Sequence, residues 1–449
     1  MLMSSIREQA ARLLTRGKID GVAAEVYQAL ADPDSTDSAA RAEEIAAYAI
    51  ATVPFYRQFA GLGLADLPVV SKATMQPRVD DFLAAGRDKR RLPSTLTSGS
   101  TGIPFRAYRD AEKLLRHRGG LVGTDRSIGV NPYGPTVHAR GWGSLSFGQR
   151  QWLALKGQLP YRGEREPAVI RRVARWLTQR PGASILGYSS YVEDLFRGFE
   201  REGLSFRPGT VRSVVCSSEP QTPYLDASAR RLFGLPAHMR YANMEQGIMA
   251  VTGDSIDEYR VDTSSFHIEI LKENGDSPAE PGEVGRIVVT DLFNRAMPFI
   301  RYDTGDLARF ALDAAGRPRR HLLVGLAGRR ADVLIAGTPK SPTRASWMVI
   351  PDKVLVTAGS IRQFQLRQKA IGEFTWVLNA ERSESMEKAL CGVLDEHIGN
   401  IRECRFIYTH DIPTMASGKR KIFVQEIPDA AALLARMEED PVGGTGGAE

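Results

Sequence analysis

The most informative stretch of the sequence is Thr95-Leu96-Thr97-Ser98-Gly99-Ser100-Thr101-Gly102-Ile103-Pro104. Its glycines let backbone N–H groups turn inward without side-chain obstruction, and its hydroxyl residues add donors, which suits the binding of a polyphosphate. The stretch lacks the lysine of a GxxxxGK[ST] phosphate loop and the spacing of a GxSxG nucleophile elbow. A run of serine, threonine and glycine is also typical of a plain surface loop, so both interpretations stay open.

The sequence on either side of this stretch predicts an α/β fold. Residues 6–60 carry apolar residues at helical spacing until Pro54 interrupts, which predicts a helical lead-in. From about residue 90, short β-branched runs such as 211–218 and 285–292 alternate with helical stretches and glycine turns. This alternation is typical of a largely buried sheet covered by helices.

The pattern also predicts how the chain divides into domains. Residues 374–412 read as strand, helix and strand, which indicates a compact α+β unit with its own small core. We therefore expect a large N-terminal domain over residues 1–327, with the lead-in at 1–60, and a small mobile C-terminal lid over 328–435. The acidic, glycine-rich residues 436–449 are expected to be a disordered tail.

Composition excludes several classes of protein. The 449 residues are 43% hydrophobic and 25% charged, as in an ordinary globular enzyme or binding protein, which excludes a collagenous or wholly disordered chain. The sequence has no apolar run near the roughly 18 residues of a membrane span, and no secretory signal is recognisable at its start. Three distant cysteines without a CxxC pair argue against a disulfide scaffold and against zinc, so we expect a cytoplasmic protein.

The charge balance adds little to the functional argument. The net charge is +6, and the densest basic runs lie at 87–91 and 171–176. Such runs are usually solvated faces, although they also tolerate anionic ligands. Because no zinc-finger spacing or aromatic-interleaved RNA motif accompanies them, we expect neither nucleic acid nor a membrane as a partner.

Three further segments carry residues suited to nucleotide chemistry. Residues 241–247 (YANMEQG) place an aromatic ring beside Glu245, and residues 297–306 (MPFIRYDTGD) end in Asp306 on a predicted turn. A carboxylate can accept hydrogen bonds from a ribose diol, and a second one can hold Mg²⁺ against phosphate oxygens. In residues 413–421 (PTMASGKRK), Lys419 follows a glycine turn, from which its ammonium group can reach another domain. Each segment alone is equally compatible with a surface turn.

Taken in order, these segments resemble the adenylate-forming superfamily of acyl-CoA synthetases and related ligases. TSGSTGIP is followed by SSEP (217–220), YANMEQG, RYDTGD, a Gly-Arg pair at 328–329 and finally SGK. The lead-in segments TVPFYRQF and VVSKATM, and the short chain, are similar to the phenylacetate-CoA ligase branch and its capsule-biosynthesis relatives. The resemblance covers roughly residues 50–425.

The resemblance implies a two-step reaction with Mg²⁺ and ATP as cofactors. A carboxylate attacks the α-phosphate of ATP to give an acyl-adenylate and pyrophosphate, and a thiol, or in some members an amine, then displaces AMP. The partners it implies are a small carboxylic acid and coenzyme A or a carrier protein. Such chemistry depends on charge neutralisation and alignment more than on an acid or base.

The resemblance also implies a role for each matching residue. Glu245 is the expected Mg²⁺-associated glutamate, Lys419 the lysine that bridges carboxylate and phosphate during adenylation, and Arg329 an interdomain arginine facing the nucleotide; these three are the expected catalytic residues. Tyr241 is expected to pack on adenine and Asp306 to bind the ribose. The residues expected to bind ATP or AMP are Thr97, Ser98, Gly99, Ser100, Thr101, Gly102, Ser218, Glu219, Pro220, Tyr241, Ala242, Asn243, Met244, Asp306 and Arg329.

The sequence departs from the family's pattern at several places, two of which are single residues expected near the nucleotide or the hinge. Met244 stands where a hydroxyl residue usually touches the α-phosphate, and Ala331 stands where the hinge usually carries a charged residue. The acceptor therefore stays open between a thiol and an amine, and a non-catalytic nucleotide-binding relative stays an alternative.

A pocket for the acid is predicted only from aromatic residues beside glycines. His138, Trp142, Gly187 and Tyr188 are the candidates, because this combination makes shaped apolar cavities. A core or turn role is equally compatible with each of them. The remaining histidines show no metal-ligand spacing and are expected to be structural or exposed.

Overall fold

The fold is described from a computed structural model. The structure describes residues 17–97, 105–140, 142, 145–164, 166–218, 223–253, 255–329, 334–338, 341–345, 361, 363–412, 423–430 and 433. The chain divides into two compact units, Met1–Leu326 and Ala327–Glu449. Within the described ranges, helices are too short or too polar to cross a bilayer.

Local signals explain where the helices begin. Asp37 and Asp110 accept hydrogen bonds from the backbone N–H groups of Ala40 and Lys113, so each carboxylate caps the first turn of the helix that follows it. The α-helices are α1 Lys18–Ala31, α2 Ser38–Thr52, α3 Lys72–Met75, α4 Ala111–Ser127, α5 Phe147–Leu155, α6 Pro167–Thr178, α7 Ser189–Arg201, α8 Pro223–Phe233 and α9 Glu384–Ile398. Short 3-10 helices occupy Pro33–Ser35, Arg57–Phe59, Leu64–Asp66 and Gln76–Phe82.

The strands of the first unit are mostly short and buried. They are β1 Val70–Ser71, β2 Ser94–Thr97, β3 Phe105–Tyr108, β4 Thr136–Ala139, β5 Gln158–Tyr161, β6 Ala183–Tyr188, β7 Val211–Ser217, β8 Ala237–Asn243, β9 Gly247–Thr252, β10 Glu258–Val261, β11 Phe266–Leu271, β12 Gly285–Asp291, β13 Tyr302–Leu312 and β14 Pro318–Arg329. Strand β12 is buried at every residue, including the polar residues Arg286, Thr290 and Asp291 that flank its apolar centre.

One mixed sheet organises the first unit. Within the described residues it runs in the order β11-β12-β13-β14-β10-β9-β8-β7-β6-β4-β5, with β1 paired in parallel to β13. Strands β5, β4, β6, β7 and β8 are parallel neighbours, whereas β8–β9, β9–β10, β10–β14, β11–β12 and β12–β13 pair antiparallel. The α/β prediction is confirmed, and β8 is the strand at which the parallel half meets the antiparallel half.

Two glycines let the lead-in helix α1 approach α4 closely. A Cβ atom at Gly119 would lie 2.4 Å from the side chain of Val22, and one at Gly123 would lie 2.6 Å from the carbonyl oxygen of Ala23. Both positions therefore require glycine. Val26 of α1 is fully buried in a cluster that includes residues of β7 and β9, so the lead-in belongs to the core of the first unit.

The second unit has a sheet and core of its own. Its remaining described strands are β15 Leu334–Thr338, β16 Ser341–Ala345, β17 Gln363–Ala370, β18 Glu373–Asn379, β19 Glu403–Tyr408 and β20 Phe423–Gln425. Strands β17 to β20 form a sheet in the order β19-β18-β17-β20, whose core includes the fully buried Trp376. The predicted strand, helix and strand over 374–412 correspond to β18, α9 and β19.

Candidate functional site

The carboxyl ends of the parallel strands bring four of the predicted site residues to one edge of the large sheet. Strands β4, β6, β7 and β8 are consecutive parallel neighbours, so their carboxyl ends lie side by side. They place His138, Gly187, Ser218 and Asn243 on the same edge. In open sheets this edge is where ligands bind, particularly where the strand order or direction changes.

A hydrogen-bonded turn presents Glu245 at the end of β8. Asn243 Oδ1 accepts a bond from the backbone N–H of Gln246 at 2.7 Å, and Asn243 Nδ2 donates to Gln246 Oε1 at 2.8 Å. The turn then enters β9 at Gly247, whose φ of 108° requires glycine. Glu245 is only 8% exposed, and the Tyr302 hydroxyl lies 3.4 Å from its Oε1 and donates to it.

Asp306 lies in a bulge within β13, so the prediction that it sits on a turn was wrong. Arg286 of β12 pairs with Leu307, but Val288 pairs with Asp303, so residues 304–306 leave the regular ladder. The bulge is stabilised locally, because Thr304 Oγ1 donates to the Ile287 carbonyl at 3.0 Å and Gly305 adopts a φ of 79°. Turn-forming residues in RYDTGD thus bend a strand without ending it.

Tyr241 and Asp306 are brought into direct contact. The Tyr241 hydroxyl donates to Asp306 Oδ2 at 2.9 Å and lies 3.1 Å from Thr304 Oγ1. Tyr241 is 7% exposed, and its pKa is raised well above the usual tyrosine range by burial and by the nearby charge of Asp306. The contact fixes one carboxylate oxygen of Asp306, which orients the other oxygen.

Ser218 has a strained backbone at the end of β7. It is exposed and adopts a φ of 71°, the left-handed region that few residues other than glycine occupy. Such strain concentrates at functional sites, where the surrounding structure holds it in place. The neighbouring Glu219 and Pro220 lie outside the described residues, as does Ala331.

The predicted phosphate loop is only partly described. Thr97 ends β2 and pairs with Phe105 of β3, so β2 and β3 form an antiparallel hairpin around residues 98–104. Ser98, Gly99, Ser100, Thr101 and Gly102 lie outside the described residues, as does the Thr97 side chain. The backbone of Arg329 ends β14, but its side chain and Lys419 also lie outside them.

The four residues proposed for an acid pocket divide into two groups. His138 and Trp142 are linked, because Trp142 Nε1 donates to the His138 carbonyl at 3.0 Å, and their rings meet edge to face at 6.3 Å. Burial, aided by Arg140, lowers the pKa of His138 to about 4, so its imidazole is neutral near pH 7. Gly187 has a structural reason to be glycine, since a Cβ atom there would lie 2.0 Å from the Ala139 carbonyl oxygen. Tyr188 follows it at the end of β6.

Sequence reasoning missed the buried charged residues at and near the turn that carries Glu245. Arg109 is 6% exposed and donates through Nη2 to the carbonyl oxygens of Met244 and Glu245. Lys113 of α4 and Asp291 of β12 form a fully buried ion pair with Nζ and Oδ2 2.5 Å apart. The local signal was the basic run after β3, but nothing local indicates which distant residues it contacts.

A buried carboxylate such as that of Glu245 is the kind of group that holds Mg²⁺ in proteins. Mg²⁺ is usually held by one or two carboxylates together with substrate phosphates, not by a complete protein cage. Among the residues that the structure describes, no group of three or more His, Cys, Asp and Glu side chains could hold a metal ion. Glu245 therefore fits a cation that arrives bound to ATP.

Known proteins with similar sequences and similar folds are found for this chain. No family model matches the sequence. The phenylacetate-coenzyme A ligase of Thermus thermophilus is 26% identical over 341 residues, 70% of this chain and 75% of that protein. The solved structure of 2-hydroxyisobutyryl-CoA ligase in the postadenylation state, in complex with 2-HIB-AMP, aligns with a TM-score of 0.63 at 17% identity, covering 90% of this chain and 91% of the other. The amide bond synthetase McbA of Marinactinospora thermotolerans aligns with a TM-score of 0.50 at 16% identity, covering 77% of this chain and 68% of that one.

The chain is thus similar in sequence to phenylacetate-CoA ligases and in fold to solved adenylate-forming ligases. These similarities confirm the resemblance to the adenylate-forming superfamily, and to its phenylacetate-CoA ligase-like branch, that the order of the motifs predicted.

Proposed function

We propose that the protein activates a small carboxylic acid with ATP and then transfers the acyl group to coenzyme A. In the first step a carboxylate oxygen of the acid bonds to the α-phosphorus of ATP, and the bond from that phosphorus to the pyrophosphate leaving group breaks. In the second step the thiolate sulfur of coenzyme A bonds to the acyl carbon, and AMP leaves with the electron pair of the anhydride bond. Atoms and charge balance without an oxidant or reductant.

The observation that carries the proposal is a pair of contacts between β13 and the segment formed by β8 and its following turn. Tyr302 of β13 donates to Glu245, and Tyr241 of β8 donates to Asp306, so each segment presents one carboxylate held by a tyrosine of the other. In the proposal Asp306 binds the ribose and Glu245 holds the Mg²⁺ that arrives with ATP. The bound Mg²⁺ neutralises phosphate charge, while the protein residues orient the nucleotide.

Two further groups of residues complete the proposal. The loop at 97–102 binds the phosphates with its backbone N–H groups, and Ser218, Ala242, Asn243 and Met244 border the nucleotide. The neutral His138 and the Trp142 ring line an apolar pocket for the acid, because neither brings a charge that would favour a polar substrate. Three cysteines that lie far apart in the sequence, with no CxxC pair, fit a reducing cytoplasm.

Pyrophosphate exchange into ATP tests the first step directly. Purified protein is incubated with labelled pyrophosphate, Mg·ATP and each member of a panel of aryl, fatty and amino acids. We expect exchange that depends on one class of acid. No exchange with any acid, from folded protein that binds ATP, would favour a non-catalytic nucleotide-binding relative.

A second assay tests the acceptor. The acid that drives exchange is supplied with coenzyme A, with a simple amine, or with neither, and AMP release and the acyl product are measured. We expect coenzyme A to accelerate AMP release and to appear as a thioester. Amide formation without thioester would instead identify an amide-forming ligase, the activity named for the structural neighbour McbA.

Lys419 separates the two steps. In the proposal its ammonium stabilises charge that develops only while the adenylate forms, and loss of one such group typically costs about a hundred- to a thousandfold in rate. We expect Lys419→Ala to reduce pyrophosphate exchange by that factor and to leave transfer from a supplied acyl-adenylate nearly unchanged. Lys421→Ala is the matched control, and a larger loss at Lys421 would mean that the wrong lysine has been assigned.

A further inference from the structure

Arg109 joins two parts of the candidate site that are distant in the sequence. It directly follows β3, the second strand of the hairpin around the Ser/Thr/Gly loop, and its backbone N–H donates to the Pro93 carbonyl at 2.9 Å, just before the first strand. Its Nη2 donates to the carbonyl oxygens of Met244 and Glu245, the latter at 3.3 Å. One residue therefore contacts both parts: its backbone N–H bonds the frame of the loop, and its buried guanidinium bonds the backbone of the Glu245 turn.

These two carbonyl bonds determine which way Glu245 faces. The carbonyl oxygens of two consecutive residues point to the same nitrogen, which fixes the peptide plane between Met244 and Glu245. The Glu245 side chain leaves the backbone next to that plane, so a rotation of the plane would displace its carboxylate. A displacement of about 1 Å in a catalytic constellation can cost roughly a hundredfold in rate.

Burial of the charged Arg109 side chain has an energetic cost. Burial lowers its pKa, and the charges of Asp291 and Glu245 oppose that effect. Its Nε atom is buried without a hydrogen-bond partner among the described residues. A buried group without a partner calls for an explanation, and the two carbonyl bonds made by Nη2 are the contacts that hold the guanidinium in this position.

Helix α4 anchors Arg109 firmly. The next residue, Asp110, caps α4 and also accepts a bond from the Arg295 backbone N–H at 3.0 Å. One turn into the helix, Lys113 makes its buried ion pair with Asp291. Farther along, Arg116 Nε donates to Ser265 Oγ at 2.7 Å. Each contact ties α4 to the antiparallel half of the sheet.

The same helix also meets the far end of the turn. A Cβ atom at Gly247 would lie 2.6 Å from His117 Nδ1, so the His117 ring packs directly under the residue at which β9 begins. Burial, together with Arg109 and Lys113, lowers the pKa of His117 to about 4, so this contact is neutral near pH 7. Helix α4 and the residue before it thus support the turn at both ends.

We propose that Arg109 is a positioning residue that holds the Glu245 carboxylate in place for the Mg²⁺ of ATP. The inference rests on the proposed function, because it takes Glu245 as the metal-associated group. Arginine should serve better than lysine, because the planar guanidinium fixes the directions of the two N–H bonds of Nη2, whereas the N–H groups of an ammonium rotate at the end of a flexible side chain.

The test compares Arg109→Lys and Arg109→Met with Arg106→Met. Arg106 lies on the same hairpin, but it is exposed and its Nη1 donates to Ser94 Oγ at 2.9 Å.

For Arg109→Met we expect pyrophosphate exchange to fall about ten- to a hundredfold and the Mg²⁺ concentration for half-maximal rate to rise about tenfold. AMP affinity, measured calorimetrically without Mg²⁺, should stay within about twofold, because the Tyr241 and Asp306 contact is separate. Arg109→Lys should fall between Arg109→Met and the unmodified protein, and Arg106→Met should match the unmodified protein.

A double-mutant cycle with Glu245→Gln excludes a general loss of structure. If Arg109 acts through Glu245, then Arg109→Lys should change the Mg²⁺ requirement much less in the Glu245→Gln background than in the unmodified protein. Equal effects in both backgrounds, or equal losses of AMP affinity and exchange rate, would overturn the proposal. Arg109→Lys serves for the cycle even if Arg109→Met does not fold.

Amide hydrogen exchange tests the positioning role of Arg109 independently of the proposed function. If the unmodified protein shows no pyrophosphate exchange, the proposed function fails, but the placement of the turn is still measurable. We then expect amides of residues 243–247 to exchange at least about tenfold faster in Arg109→Lys than in Arg106→Lys, with β18 unchanged in both. Equal exchange at 243–247 in the two variants would overturn the positioning role.

Discussion

The antiparallel and parallel halves of the large sheet hold their candidate site residues by different means. In the antiparallel half, side chains hold one another: Tyr241 binds Asp306, and Tyr302 binds Glu245. In the parallel half, backbone and packing set the positions, as in the left-handed Ser218 and the close approach at Gly187. The antiparallel half therefore presents polar groups in fixed positions. Because the proposal assigns these groups to the nucleotide, substitutions there should change nucleotide chemistry more than folding.

The largest effect is expected at Glu245. Glu245→Gln keeps the size of the side chain and the contact with Tyr302 but removes the charge that the proposal assigns to Mg²⁺. Loss of one preorganised electrostatic group typically lowers the rate about a hundred- to a thousandfold, and we expect that loss in pyrophosphate exchange. Glu258→Gln, at an exposed position on β10, is the control. If both variants retained full activity, Glu245 would have no electrostatic role.

The next largest effect is expected at Asp306. Asp306→Ala removes a ribose contact that exists in every nucleotide-bound state, so ATP and AMP should weaken alike. A hydrogen bond to a charged group contributes about 1.5–3 kcal/mol, which corresponds to roughly ten- to a hundredfold in affinity. Tyr241→Phe, which removes only the hydroxyl that orients Asp306, should weaken binding by a smaller factor. Calorimetry with AMP measures both, and unchanged affinity in Asp306→Ala would remove Asp306 from the site.

For the parallel half we expect an effect on folding. A methyl group at Gly187 would overlap the Ala139 carbonyl oxygen, so Gly187→Ala should push β4 and β6 apart and lower the free energy of unfolding by about 1–3 kcal/mol. Gly148→Ala on α5 is the matched control, because the space around Gly148 is open and alanine favours a helix. Thermal unfolding compares the two. A Gly187→Ala variant as stable as Gly148→Ala would show that the strands tolerate separation.

The smallest effect is a dependence of stability on pH. The pKa of His138 is lowered by burial to about 4 from 6.5, so the unfolded chain binds its proton at a higher pH than the folded protein does. Its contribution is fully present above pH 6.5 and is lost as the pH falls toward 4. At pH 5 this histidine should cost about 1–2 kcal/mol of stability relative to pH 7. His138→Phe should flatten the profile between pH 7 and pH 5 in chemical denaturation, and an unchanged slope would contradict the lowered pKa.

The alternation of apolar runs predicted the fold class, and the order of the motifs predicted the resemblance to the superfamily, because both depend on local sequence. The runs at 211–218 and 285–292 became β7 and β12, and the segment at 374–412 became β18, α9 and β19. Asp306 was misjudged because Asp-Thr-Gly has the composition of a turn, whereas pairing with β12 keeps it inside a strand. Arg109 could not be found at all, because the carbonyl groups it binds lie 135 and 136 positions further along the chain.

The close contact between α1 and α4 has a consequence for how the chain is made on the ribosome. The glycines that receive α1 lie on a helix that begins 80 residues after α1 ends, and Val251, part of the same cluster, follows later still. At a synthesis rate of about 5–20 residues per second, roughly 4–16 seconds pass between the end of α1 and the start of α4. During that interval the residues of α1 lack the α4 surface against which they pack in the folded protein.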